Sequence, residues 1–134
     1  MNTGLSPTIC PYCGVGCGLF VSVVDGAVQG LEYQTEHPTN FGSLCPKGNS
    51  CLDLVYHPDR LRYPLRRSDT GFERVSWEEA LSLISVRFDR ISKRYGPDAL
   101  GFLASAKVTN EENYLFQKLA RMLGTNNVDH CARL

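Results

Sequence analysis

The sequence predicts a mixed α+β and α/β chain: a small β-hairpin-rich domain over residues 1–65, followed by the start of an α/β domain over residues 66–134. The first part is rich in glycine and turn residues and holds five of the six cysteines. The second part changes to apolar residues spaced three to four apart, alternating with short apolar runs. Such alternation predicts a parallel sheet with crossover helices, but two strands do not complete a sheet, so this domain is predicted to be incomplete.

The first part contains a hairpin signal. Leu19–Val24 and Ala27–Tyr33 are β-prone runs joined by Asp25-Gly26, and glycine accepts the positive φ of a tight turn. A loop over residues 34–42 leads to the motif L-C-P-K-G at residues 44–48. The charged segment Arg60–Arg74, which includes a proline and a glycine, is predicted to be a connector.

The second part begins with a helix signal. Ser76 and Glu79 have the spacing of a capping box, and Gly96-Pro97 ends the pattern. The apolar face comprises Trp77, Leu81, Ile84, Phe88, Ile91 and Tyr95. The apolar run Ala99–Ala104 that follows predicts a buried strand.

A second helix and strand are predicted next. Thr109 and Glu112 form another capping box, the apolar stripe after them stops at Gly124, and Asn127–Asp129 begins a strand. Because these elements lack the rest of a sheet, we expect the chain alone to be poorly soluble or partly disordered beyond about residue 65.

Composition excludes several classes of protein. The 134 residues include 14 basic and 14 acidic side chains, so no basic footprint predicts nucleic-acid binding. No apolar run approaches the length of a membrane span, and the N-terminus has no signal-peptide pattern. A cytoplasmic location is expected, where cysteines bind metal more often than they form disulfides.

The strongest chemical signal is the spacing of four cysteines. Cys10, Cys13 and Cys17 lie in C-P-Y-C-G-V-G-C-G, and Cys45 follows in the motif at residues 44–48. One compact loop with three thiolates and a distant fourth suits a cubic iron–sulfur cluster, whose irons each need one sulfur ligand. The glycines at 14, 16 and 18 let the loop fold tightly and turn N–H groups toward the sulfurs. Structural zinc is the alternative, but it usually takes two separated cysteine pairs.

Other polar residues are predicted to have structural roles. Cys51 is expected to be a small buried hydrophobic residue. His37 and His57, each before a proline, are expected to serve turns or packing, and His130 to shape a pocket.

Three motifs in order resemble the molybdopterin oxidoreductases: C-P-Y-C-G-V-G-C-G, then H-P-T-N-F-G-S-L-C-P-K-G at 37–48, then V-S-W-E-E-A at 75–80. The resemblance implies an N-terminal [4Fe-4S] domain in which Cys10, Cys13, Cys17 and Cys45 hold the cluster. It also implies molybdenum or tungsten on bis(molybdopterin guanine dinucleotide). The segments at 109–121 and 124–134 resemble formate dehydrogenases, with an assimilatory-type nitrate reductase or a stand-alone [4Fe-4S] electron-transfer module as alternatives.

The resemblance implies further roles. Lys47 would couple the cluster to one pterin, and Lys107 would contact the cofactor. Formate would be the substrate, and iron–sulfur or flavin subunits the electron-transfer partners.

In this family the metal-binding cysteine or selenocysteine follows the segment that here ends at Leu134. Cys131 would therefore be a neighbour of the pterin site, and the chain alone is expected to be inactive on formate. We expect the gene to continue through a UGA codon that encodes selenocysteine, with histidine next; a frameshift or a deliberate truncation is the alternative.

Overall fold

The computed structural model describes residues 3–131. Its strands are β1 (Thr3–Ile9), β2 (Gly18–Val24), β3 (Ala27–Tyr33), β4 (Leu65–Ser68), β5 (Gly71–Arg74), β6 (Phe102–Ala104) and β7 (Val128–His130). Its α-helices are α1 (Pro46–Asn49), α2 (Asp53–Tyr56), α3 (Trp77–Tyr95) and α4 (Asn110–Met122), and Pro97–Ala99 forms a 3-10 turn. Across residues 3–131, no helix has both the length and the apolar character that a membrane span requires.

The first sheet is antiparallel with the order β1-β2-β3. The predicted hairpin of β2 and β3 is confirmed, and Asp25 and Gly26 both take positive φ, as a two-residue hairpin turn requires. Strand β1 and helix α1 are not predicted from the sequence. Leu19 is buried with Cys10 and Cys51, so the core of this region lies beside the cysteines.

A second hairpin corrects the predicted connector at Arg60–Arg74. Strands β4 and β5 pair antiparallel within it. Their charges do not mark a solvated linker, because Arg66 and Glu73 face each other across the strands with Nη2 and Oε1 2.7 Å apart.

Both predicted capping boxes are present. Ser76 Oγ accepts from Glu79 N, and Glu79 Oε2 accepts from Ser76 N, so α3 begins as predicted. The same reciprocal bonds join Thr109 and Glu112 at the start of α4. The predicted strand at Ala99–Ala104 is shorter than expected, because Pro97 starts a 3-10 turn and only β6 remains extended.

The chain forms two compact units. Among the described residues, one unit comprises residues 3–58, Ser105–Leu115 and residues 130–131; the other comprises Asp59–Ala104 and Phe116–Asp129. In the second unit, the buried residues Leu100, Phe102 and Ala120 pack with Phe88 and Phe116, among others. The division into domains 1–65 and 66–134 stays a prediction.

Candidate metal centre

The first three cysteines lie in the connection between β1 and β2. Ile9 pairs with Gly18, so the sheet brings the two ends of the connection side by side. Cys10 N donates to Cys17 O at 2.8 Å and closes the loop. We call residues 10–17 the cysteine loop.

The fourth cysteine lies next to the cysteine loop. Cys45 immediately precedes α1, whose Gly48 is buried. A Cβ added to Gly48 would lie 3.6 Å from Cys10 Sγ and 3.3 Å from the Leu44 side chain. Helix α1 therefore packs on Cys10 through a glycine, and this contact brings Cys45 to the loop.

Cys17 lies within electrostatic range of the thiols of Cys10, Cys13 and Cys45. Burial raises the pKa of the Cys17 thiol, and the charges of Cys10, Cys13 and Cys45 raise it further. The backbone N–H groups of Gly48 and Lys47 lower the pKa of the Cys45 thiol. The Cys45 side chain nevertheless makes no capping hydrogen bond to α1. Four thiolates would repel one another, and a positively charged cluster core would offset that repulsion.

A cubic cluster and a single ion make different demands on the four thiols. Within residues 3–131, no three His, Cys, Asp or Glu side chains converge closely enough to hold one metal ion. In a cubic cluster each thiolate binds a different iron, so the sulfurs face a common volume without meeting at one point. A structural zinc ion would need four ligands around one centre.

The side-chain amide of Asn40 joins the two cysteine-bearing segments, and that of Asn49 joins the second segment to β3. Asn40 Oδ1 accepts from Gly18 N at 2.9 Å, and its Nδ2 donates to Gly18 O at 3.1 Å and Ser43 O at 3.0 Å. Asn49 Nδ2 donates to Leu44 O at 3.0 Å, and its Oδ1 accepts from Tyr33 Oη at 2.7 Å. Sequence reasoning missed both asparagines; the only signal was their presence within or beside the cysteine motifs.

Different structural features favour glycine at the three positions of the motif. Gly16 has a φ of +71°, which other residues rarely adopt. A Cβ on Gly18 would lie 2.2 Å from His37 Cδ2, and one on Gly14 would lie 2.4 Å from Asn110 Oδ1. Two of the glycines therefore admit a neighbouring side chain.

The two lysines with predicted roles lie in different parts of the first unit. Lys47 is exposed on α1, and its charge helps to lower the pKa of Cys45. Lys107 lies after β6, where Ser105 Oγ is 3.6 Å from Cys131 Sγ. The Ala106 N–H, then Ser105 and then the charge of Lys107, lower the pKa of the exposed Cys131 thiol.

The residues expected to be structural are also placed. Cys51 is buried as predicted, and burial raises the pKa of its thiol. His37 serves a turn as predicted, since its Nδ1 accepts from the backbone N–H groups of Gly18 and Thr39. The ligand expected after Leu134 lies outside the described residues.

Two family models match the chain. The molybdopterin oxidoreductase Fe4S4 domain matches residues 5–57, and molybdopterin oxidoreductase matches residues 60–134. The first match contains all four cysteines of the centre.

Curated relatives and a solved structure match most of the chain. The alpha subunit of an F420-dependent formate dehydrogenase from Methanocaldococcus jannaschii is 50% identical over 128 residues, 95% of this chain and 18% of the relative. The alpha subunit of F420-dependent formate dehydrogenase 1 from Methanococcus maripaludis is 49% identical with the same coverage. Acetylene hydratase from Pelobacter acetylenicus superposes with a TM-score of 0.71 at 28% identity, covering 92% of this chain and 18% of the hydratase. The chain thus spans about a fifth of these proteins.

Proposed function

Because the chain belongs to the molybdopterin oxidoreductase family, we propose that it is the N-terminal, cluster-binding segment of a formate dehydrogenase catalytic subunit. The observation that carries this proposal is the set of four thiols gathered around the cysteine loop, in a chain about half identical to formate dehydrogenase alpha subunits. Its cytoplasmic location remains a prediction from the sequence.

Cys10, Cys13, Cys17 and Cys45 are the proposed ligands of a [4Fe-4S] cluster. The loop closure at Cys10–Cys17 and the packing of Gly48 on Cys10 support this set. Cys51 shares the buried cluster of Leu19 and Cys10. It is not proposed as a ligand, because it lies outside the four-cysteine pattern that the sequence indicates.

Lys47 is the proposed cation beside the cluster. Its charge already favours the thiolate form of Cys45, which supports a role in offsetting negative charge near the ligands. In the proposed function this fixed charge favours the arrival of an electron from the pterin side.

Lys107 and Cys131 are proposed to border the pterin site. Lys107 follows β6, and a loop after a strand is where open α/β sheets place ligands. The charge of Lys107 lowers the pKa of the Cys131 thiol, and Ser105 Oγ lies 3.6 Å from Cys131 Sγ. These contacts support placing the three residues together at one edge of the proposed pterin site.

The proposed reaction of the whole enzyme is oxidation of formate to carbon dioxide, with release of one proton and two electrons. When bound, a molybdenum or tungsten pterin takes up the electron pair and the cluster passes electrons on singly. Iron–sulfur or flavin subunits are the proposed electron acceptors.

The test is an activity assay on the complete gene product that contains this sequence, purified without oxygen. We expect formate-dependent reduction of a viologen dye. Acetylene hydration in place of formate oxidation would favour the chemistry named for the structural neighbour. A cluster signal with neither activity would favour the alternative that the protein is a stand-alone [4Fe-4S] electron-transfer module.

A further inference from the structure

We propose that Asn110 is a positioning residue for the cluster, and that Gly14 is a glycine in order to admit it. This inference rests on the proposed function, since it concerns how the cysteine loop is held around a [4Fe-4S] cluster. It assigns a role in the centre to a residue far from the cysteine motifs.

Asn110 reaches the cysteine loop from the first turn of α4. Its Nδ2 donates to Gly14 O at 2.9 Å across 96 residues of sequence. The two residues fall in different family-model matches, yet both lie in the first structural unit. The bond therefore attaches the loop between Cys13 and Cys17 to the segment that carries Lys107.

Gly14 shows how closely Asn110 approaches. A Cβ at this position would overlap Asn110 Oδ1 and lie 3.2 Å from Asn110 Cγ, so the Asn110 side chain would have to shift. The three nearest heavy atoms all belong to Asn110. Because the φ of Gly14 lies outside the left-handed region, its backbone conformation is open to alanine. Glycine here therefore leaves room for Asn110, whose side chain would have to move to admit a methyl group.

The hydrogen bond has an electrostatic consequence. The Gly14 carbonyl lies in the chain between two proposed ligands, and the amide of Asn110 compensates its negative end. Without this donor, the carbonyl would disfavour addition of an electron to a cluster that is already negative. The planar Gly14–Val15 peptide would also be free to turn as one unit.

The test compares Asn110→Ala with Asn113→Ala, which removes an exposed amide one turn further along the same helix. The full chain is loaded anaerobically with iron and sulfide, and the midpoint potential of the cluster is measured by redox titration with electron paramagnetic resonance. We expect a more negative potential in Asn110→Ala and an unchanged one in Asn113→Ala. Equal potentials in Asn110→Ala and the wild type would overturn the inference.

A second variant pair tests the glycine. Gly14→Ala should make the loaded chain lose iron faster to a chelator, because the new methyl group displaces Asn110. In the Gly14→Ala/Asn110→Ala double variant the clash is gone, so iron loss should be no faster than in Asn110→Ala alone. Additive losses would contradict the inference. Failure of the wild-type chain to form any four-iron cluster would instead refute the proposed function.

Discussion

Asn40 holds both backbone polar groups of Gly18 with one side chain: Oδ1 accepts from the N–H at 2.9 Å and Nδ2 donates to the carbonyl at 3.1 Å. The same Nδ2 donates to Ser43 O. Since Gly18 follows Cys17 and Ser43 lies two residues before Cys45, this amide fixes the distance between the two proposed ligand segments.

Asn40→Ala should therefore loosen the centre. Loss of the two partly buried bonds leaves the Gly18 N–H with its longer bond to His37 Nδ1 and removes the Asn40 donor from the Gly18 carbonyl. This should lower the free energy of unfolding by about 1–3 kcal/mol. The loaded chain should also release iron faster to a chelator. Thr39→Ala, at an exposed neighbouring position, is the matched control. Identical iron release in both variants would show that Asn40 does not position the ligands.

Gly18 itself should not tolerate a side chain. A methyl group there would meet His37 Cδ2 at 2.2 Å and Gln34 Oε1 at 2.6 Å. Gly18→Ala should cost about 1–3 kcal/mol of unfolding free energy through overpacking. Gly4→Ala, on β1 with no heavy atom within 4 Å of the new carbon, should leave the melting temperature nearly unchanged. A thermal melt of both variants decides this, and equal melting temperatures would contradict the packing.

Acid should weaken the start of α3. The backbone N–H and then the hydroxyl of Ser76 lower the pKa of Glu79 in the folded chain. The stabilisation is therefore present above the unfolded pKa of the carboxyl and is lost as the pH falls through the folded pKa. Far-UV circular dichroism melts should show Glu79→Gln to be less stable at neutral pH and equal to the wild type in strong acid. Glu78→Gln, outside the box, should match the wild type throughout, and a difference that persists in acid would exclude the linkage.

The apolar stripe of α3 is only partly covered. Trp77 and Leu81 are 66% and 60% exposed, whereas Phe88 packs its ring against Phe102 with centroids 6.0 Å apart. Leu81→Gln should reduce binding of a hydrophobic dye and self-association. Phe88→Ala should instead unfold the second unit, since such core truncations cost about 3–5 kcal/mol. Equal dye binding by Leu81→Gln and the wild type would contradict this surface assignment.

The sequence predicts the elements with strong local signals. The Asp25-Gly26 turn and both capping boxes are correct because each depends on residues close together in the chain. The hairpin at Leu65–Arg74 is missed because its charges look like those of a linker until the Arg66–Glu73 pair is seen.

The candidate site divides in the same way. Cysteine spacing indicates the ligand set, but Asn40 and Asn110 act across 22 and 96 residues. No short pattern encodes such long-range bonds. The close approach of other side chains to Gly14 and Gly18 likewise depends on neighbours that only the folded chain brings near.

Serine substitution should separate ligands from other cysteines. Replacing Cys10, Cys13, Cys17 or Cys45 should lose or degrade the cluster, because serine is a poor substitute for a thiolate ligand. Cys51→Ser and Cys131→Ser should keep it. Iron analysis of the six loaded variants checks this, and iron loss in Cys51→Ser with full iron in Cys13→Ser would require a different ligand set.

The most direct measurement is the metal content and electron paramagnetic resonance spectrum of the full chain after anaerobic loading with iron and sulfide. We expect about four irons per chain and a signal that appears on reduction, as is typical of a [4Fe-4S] cluster. A chain that takes up one zinc ion in place of iron, with no iron-dependent absorbance and no signal on reduction, would contradict it.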